Sequence, residues 1–160
     1  MRRLFFAFAF ILLATIANAQ VANHAIGLRL GGGDGFGTEI SYQHGLSDFN
    51  RLEFDLGLHN GNNYNAWGLA GIYQWVWNID GGFNWYAGAG GKIGSWSWDY
   101  DKYHGTDNGG IFLSAVGDIG IEYAFPVGIQ VSLDARPEIG LINHGNSYNT
   151  NIAFSVRYQF

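Results

Sequence analysis

Residues 151–160 read Asn-Ile-Ala-Phe-Ser-Val-Arg-Tyr-Gln-Phe and alternate without a break. Ile152, Phe154, Val156, Tyr158 and Phe160 fall on one side, and Asn151, Ala153, Ser155, Arg157 and Gln159 on the other. A period of two belongs to β-strands, whose successive side chains point to opposite faces, and not to helices. This stretch therefore reads as a strand with one greasy face and one polar face. Its fold must give those faces different surroundings.

The same pattern predicts strands over residues 24–32, 36–43, 51–59, 64–77, 83–94, 111–125 and 129–141, with 151–160 as the eighth. It is cleanest in 51–59, where Leu52, Phe54, Leu56 and Leu58 oppose Arg51, Glu53, Asp55, Gly57 and His59. In 36–43 the apolar side carries Phe36, Thr38, Ile40 and Tyr42. In 64–77 Ile72 and Val76 sit opposite Trp67, Leu69, Tyr73, Trp75 and Trp77, which weakens the alternation and points to a bulge. Pro137 has no N–H for a ladder, so it is expected near a rim or at a bulge. Between the strands, Gly33-Asp34-Gly35 reads as a tight turn, Asn60-Gly-Asn-Asn63 as a break, 95–110 as the longest loop and 142–148 as the last. The expected fold is all-β: an eight-stranded antiparallel up-and-down transmembrane β-barrel. Crossing a bilayer at a tilt takes about 9–11 residues per strand, which these stretches match. An even number of strands brings both ends of the chain to one side.

The charges decide between a barrel in lipid and a barrel in water. Arg29, Glu39, Arg51, Glu53, Asp55, Lys92, Asp118, Glu122, Asp134, Arg136, Glu138 and Arg157 all fall on the face opposite the greasy one. Asp34, Asp48, Asp80, Asp99, Asp101, Lys102 and Asp107 fall in turns. A water-soluble barrel has the reverse pattern, apolar within and charged without. An apolar exterior is what hydrocarbon demands, because a Lys or Arg facing lipid at mid-depth costs about 2–4 kcal/mol. The twelve inward charges are expected to pair as a network, since an unpaired buried charge is strongly unfavourable. Six inward glycines (Gly27, Gly57, Gly88, Gly90, Gly94 and Gly120) are expected to leave room for water beside it.

Residues 1–19 read as a signal peptide and 20–160 as the barrel domain. Arg2 and Arg3 precede an apolar run from Leu4 to Ile16, and Ala17-Asn18-Ala19 fits the small-x-small cleavage rule. Without this segment six Lys/Arg face thirteen Asp/Glu, a formal charge of −7, which argues against nucleic acid as a partner. With 0 cysteines there is no disulfide or thiolate metal site.

Aromatics gather in two bands. Tyr42, Phe49, Trp75, Trp77, Phe83, Trp85, Tyr123, Phe125, Tyr158 and Phe160 lie near the turns on the side of the chain ends. Tyr64, Trp67, Trp96, Trp98 and Tyr148 lie near the opposite rim. Amphipathic rings at strand ends suit the two interfaces of a membrane.

Ala25-Ile-Gly-Leu-Arg-Leu30, Phe83-Asn-Trp-Tyr-Ala-Gly-Ala-Gly90, Asp134-Ala-Arg-Pro-Glu138 and Ser155-Val-Arg-Tyr-Gln-Phe160 resemble the small, porin-like β-barrel proteins of the bacterial outer membrane. The resemblance covers nearly the whole of 20–160. It implies an outer-membrane location, lipopolysaccharide and other outer-membrane lipids as surroundings, and a monomer. It further implies that Tyr158 and Phe160 serve as the signal read by the barrel-assembly machinery. It implies no activity that can be carried over residue by residue. The first functional expectation is a structural or surface-interaction protein with a plugged lumen. The alternative is a narrow porin-like channel for water, ions or small solutes.

An enzyme is a distant third, and none is expected. Some barrels of this kind modify lipid A with Ser, His and an acid near the rim, which draws attention to His59, His104 and His144. Asn143-His-Gly-Asn-Ser147 is similar to the His-x-Ser arrangement of lipid A deacylases, but Ser147 is one residue too far along. On a strand that reverses its face, whereas a nucleophile needs its base within about 3 Å. Asp99, Asp101 and Asp107 do not make an EF-hand, because His104 and Gly110 stand where Gly and Glu are required. No cofactor or metal is expected.

Overall fold

The computed structural model describes residues 21–32, 36–60, 64–98, 109–142 and 148–160. The expected signal peptide, the Gly33–Gly35 turn, residues 61–63 and the charged loop residues Asp99, Asp101, Lys102 and Asp107 lie outside them, as do His104, His144 and Ser147. The described residues form eight strands in one closed antiparallel barrel, taken in sequence order. They are β1 (His24–Gly32), β2 (Thr38–Ser47), β3 (Asn50–Asn60), β4 (Tyr64–Asp80), β5 (Phe83–Trp98), β6 (Gly109–Ala124), β7 (Ile129–Ile142) and β8 (Tyr148–Gln159). The ring closes where β8 pairs with β1, from Ala25↔Gln159 to Gly32↔Ile152.

The period of two sorts the side chains between two environments. Ile26, Leu28 and Leu30 of β1 and Ile152, Phe154, Val156 and Tyr158 of β8 are exposed on the outer surface. Arg29 and Arg157, on the other parity of the same strands, are each 1 % exposed and therefore lie inside. Exposed apolar residues continue around the ring, with Ile40, Phe54, Leu69, Ile93, Ile119 and Leu133 among them. The barrel is thus greasy outside and charged inside. Tight turns join the strands on the side of the chain ends. Gly81 (φ 52°) and Gly128 (φ 81°) take left-handed backbone conformations there, which side-chain-bearing residues adopt at a cost. The Asn78 amide donates to Gly81 O at 2.9 Å and Phe83 O at 3.0 Å, holding the first of these turns.

Strand ends depart from the sequence reading. β2 continues to Ser47, into the expected 44–50 turn, because His44↔Leu52 and Gly45↔Arg51 remain paired. β5 runs on through Ser95, Trp96 and Ser97, which pair with Ile111, Gly110 and Gly109 where a loop was expected. β4 extends to Asp80, and β8 starts earlier, at Tyr148. In each case the ladder outlasts the apolar alternation. The bulge expected within 64–77 is absent among the described residues: β4 keeps one register against β3 throughout, and its register against β5 shifts only between Asn78 and Asp80. Ile72 and Val76 simply point inward and are buried. Pro137 is at neither a rim nor a bulge. It sits within β7 opposite Thr150 of β8, and on its other side a Cβ on Gly117 of β6 would come 3.1 Å from its ring. Glycine there leaves space for the proline where the β6–β7 pairing is interrupted between Val116↔Glu138 and Ile119↔Ala135.

The outer surface yields a direct test. Leu133 lies near mid-length of β7, between Ile121 and Phe154, and is 50 % exposed. Leu133→Arg should lower the stability of the barrel in lipid vesicles by about 2–4 kcal/mol, read from denaturant unfolding. Val127→Arg, in the β6–β7 turn, should cost only about 0–1 kcal/mol.

Candidate functional site

The lumen concentrates the chemistry, and at its centre stands Arg136 of β7. Its Nη1 donates to Asp55 Oδ2 and its Nη2 to Glu53 Oε1, both at 2.8 Å. Its Nε lies 3.8 Å from Asp118 Oδ1. Asp55 and Glu53 belong to β3, which is not adjacent to β7 in the ring, so the contacts cross the barrel. Glu53 also accepts from Gln43 Nε2 at 2.5 Å and lies 3.1 Å from Arg157 Nη2. Arg157 donates to Ser41 Oγ at 2.8 Å and Ser132 Oγ at 2.9 Å, tying β8 to β2 and β7.

Toward the chain-end side, Arg51 forms a two-pronged pair with Glu122, with Nη1 to Oε1 at 3.1 Å and Nη2 to Oε2 at 2.7 Å. Such a fork is the strongest common form of ion pair, since the planar guanidinium matches the carboxylate. Arg51 Nε donates to Gln74 Oε1 at 2.6 Å, and Gln74 Nε2 donates to Asp118 Oδ2 at 2.5 Å. Gln130 and Asn84 donate to Glu122. The Arg51 guanidinium lies 4.9 Å from the centroid of the Tyr86 ring. Toward the opposite rim, Arg29 donates to Glu39 at 2.8 Å, to Asp134 at 2.5 Å and to Asn151 at 2.8 Å. Lys92 pairs with Glu138 at 3.2 Å and lies 4.9 Å from the Phe36 ring centroid.

All twelve charged residues singled out from the sequence lie in the lumen, each below a tenth exposed, and each has an ionic partner. Most of the pairs link strands that are not neighbours: β1 to β7, β3 to β6, β3 to β7, β3 to β8 and β5 to β7, while Arg29–Glu39 and Arg136–Asp118 join adjacent strands. They brace the ring across its hollow. Sequence reasoning passed over several neutral residues that complete the network, notably Gln74, Asn84 and Tyr86. Their signal was parity: each occupies an inward position on its strand. Several buried polar atoms (Asp55 Oδ1, Asp118 Oδ1, Arg136 Nε, Arg157 Nη2, Asn151 Nδ2 and Ser155 Oγ) make no hydrogen bond to protein, although some have an opposite charge close by.

The inward glycines do not open the water space expected of them. A Cβ on Gly120 would lie 2.5 Å from Tyr86 Cζ, one on Gly94 2.5 Å from Phe112 Cζ, and one on Gly88 2.9 Å from Ile72 Cγ2. Phe36, expected on the outer face, instead lies before β2 and covers Gly57 and Gly68, where a Cβ would come within 2.7 Å and 3.1 Å of its ring. Glycine on one wall accommodates a bulky side chain from another.

Outside the lumen, Tyr158 and Phe160 are exposed at the chain-end rim. The Phe160 ring stacks on His24 at 5.5 Å. Rings of the same band pack together, with Trp77 on Trp85 at 4.3 Å and Phe83 against Tyr123 at 4.6 Å. His59 lies at the other end of β3, paired with Ala66. Among the described residues no three His, Cys, Asp or Glu side chains gather as a metal site.

No protein-family model matches the chain, and no curated protein sequence does. Solved structures do. The N-terminal β-barrel domain of Pseudomonas aeruginosa OprF superposes with a TM-score of 0.69 at 15 % identity, over 87 % of this chain and 98 % of that one. Neisserial surface protein A (NspA) gives 0.61 at 14 % identity, over 86 % and 94 %. Ail, the attachment invasion locus protein of Yersinia pestis, gives 0.56 at 10 % identity, over 86 % and 96 %. Closed eight-strand topology, greasy exterior, charged interior and these likenesses agree: the chain has the fold of the small eight-stranded β-barrels of the bacterial outer membrane.

Proposed function

We propose that the protein is an integral outer-membrane barrel whose lumen is plugged by its own side chains, and that its role is structural or one of surface interaction, without catalysis. The carrying observation is Arg136, held by Glu53, Asp55 and Asp118 across the middle of the barrel. Eight strands enclose a space that side chains alone can fill. Above and below Arg136, the Arg51–Glu122 fork and the Arg29–Glu39–Asp134 cluster add two more bridged levels. The barrel works as a monomer among lipopolysaccharide and other outer-membrane lipids. Tyr158 and Phe160 present its sorting signal to the assembly machinery during biogenesis.

A second reading, a narrow path for water or ions, draws support from the buried polar atoms around Asp55, Asp118 and Arg136 that make no hydrogen bond to protein. Seven acidic residues against five basic ones in the lumen would favour cations. The two readings separate in a planar bilayer. The refolded protein, its folding checked by a heat-dependent gel shift, should give a silent record. Discrete steps that change in selectivity with Glu53→Gln or Asp134→Asn would instead establish the narrow channel.

The network also makes a stability prediction. Arg136→Ala leaves three buried carboxylates without their shared cation and should destabilise the barrel by about 3–5 kcal/mol in denaturant unfolding. Combining it with Asp55→Asn, which removes one of the stranded charges, should recover part of that loss.

A further inference from the structure

The chain-end rim holds a histidine pair that the plug does not use. His24 of β1 and His44 of β2 are directly opposed across the strand pair. The His24 N–H donates to Phe160 O at 3.2 Å, and its C=O accepts from the Phe160 N–H at 2.9 Å. Both of its backbone groups therefore point toward β8. Facing β2, His24 and His44 form a non-hydrogen-bonded pair, the arrangement that brings opposed side chains closest. Their rings lie 5.0 Å apart, with Nδ1 to Nδ1 at 3.4 Å. The Tyr42 hydroxyl lies 2.8 Å from the same His24 Nδ1.

Two lone-pair-bearing atoms, His44 Nδ1 and the Tyr42 hydroxyl oxygen, thus converge on the His24 Nδ1. A neutral imidazole has one proton and one lone pair in its ring plane, so His24 Nδ1 forms one good hydrogen bond and not two. A metal ion resolves the competition by accepting both lone pairs. Two imidazole nitrogens at about 2.0–2.1 Å from a tetrahedral Zn²⁺ stand about 3.4 Å apart, which is the separation found here. Both residues share the outward parity of Ile26 and Tyr42, and their rings are half-buried at the chain-end rim, within the aromatic band that suits the boundary between membrane and water. Stacking of His24 on Phe160 at 5.5 Å holds the ring in place beforehand.

We infer that His24 and His44 form a two-histidine site for a divalent transition-metal ion, Zn²⁺ or one of its borderline neighbours, with Tyr42 beside it. Water completes the shell, since among the described residues no third His, Cys, Asp or Glu joins the pair. The ion would tie β1 to β2 one strand away from the seam with β8. Imidazole-only ligation favours Zn²⁺, Ni²⁺ and Cu²⁺ over Mg²⁺ and Ca²⁺.

The test is calorimetric titration of Zn²⁺ into the refolded, tag-free protein in detergent micelles, paired with its thermal unfolding midpoint with and without Zn²⁺. Binding of one ion per chain and a raised midpoint are expected. His44→Gln, and separately His24→Phe (which keeps a ring on Phe160), should each weaken binding by at least the roughly 10- to 100-fold that loss of an outer-shell partner costs, and abolish the rise in midpoint. A variant with His59, His104 and His144 all changed to Asn should bind Zn²⁺ as the parent does. Absence of Zn²⁺ binding by the parent, or binding that survives both rim substitutions, would overturn the site.

Discussion

Hydrocarbon offers no partner to a peptide N–H or C=O, so a chain that crosses it in strands must satisfy every backbone group within the sheet. That constraint closes β8 onto β1. It also divides the side chains. In each strand one parity meets lipid and has to be apolar, and charge is left only the lumen and the rims. Confinement then requires pairing, because a buried charge without a partner is strongly unfavourable. The fork between Arg51 and Glu122 and the bridge from Arg136 to Glu53 and Asp55 are, in this sense, consequences of the lipid outside.

Within the strands the face of a residue was legible in the sequence because parity reports it directly; Phe36, which lies before β2, was misplaced. Leu52, Phe54 and Leu56 against Glu53 and Asp55 could hardly be read otherwise. Strand ends were not legible. Apolar alternation stops near the edge of the hydrocarbon, whereas hydrogen bonding carries the ladder further, as at Ser95–Ser97 and at His44–Ser47. Partners inside the lumen were also hidden. Asp55 and Arg136 are separated by 81 residues, and which inward side chains meet depends on the stagger of the strands around the ring. A period-two pattern gives direction but not height.

The glycines show the same limit. On paper six inward positions without side chains read as empty volume. In the barrel Gly57, Gly88, Gly94 and Gly120 are the complement of Phe36, Ile72, Phe112 and Tyr86, each coming from a neighbouring strand or from the start of β2, while Gly27 and Gly90 lie against neighbouring backbone. Small barrels have little interior to fill, and pairing a small residue with a large one lets bulky rings share it with a network of guanidinium groups. The stacking of Arg51 on Tyr86 joins the two kinds of filling.

β8 is the shared neighbour of β1 and β7, the one piece through which the chain meets itself. A nascent chain short of this strand would carry two bare ladders, one at each end of an open sheet, both apolar on the outer face. Such edges template pairing with other chains. The seam therefore acts as a commitment point in biogenesis: before it forms the molecule is an aggregation hazard, and afterwards it has no edge to offer.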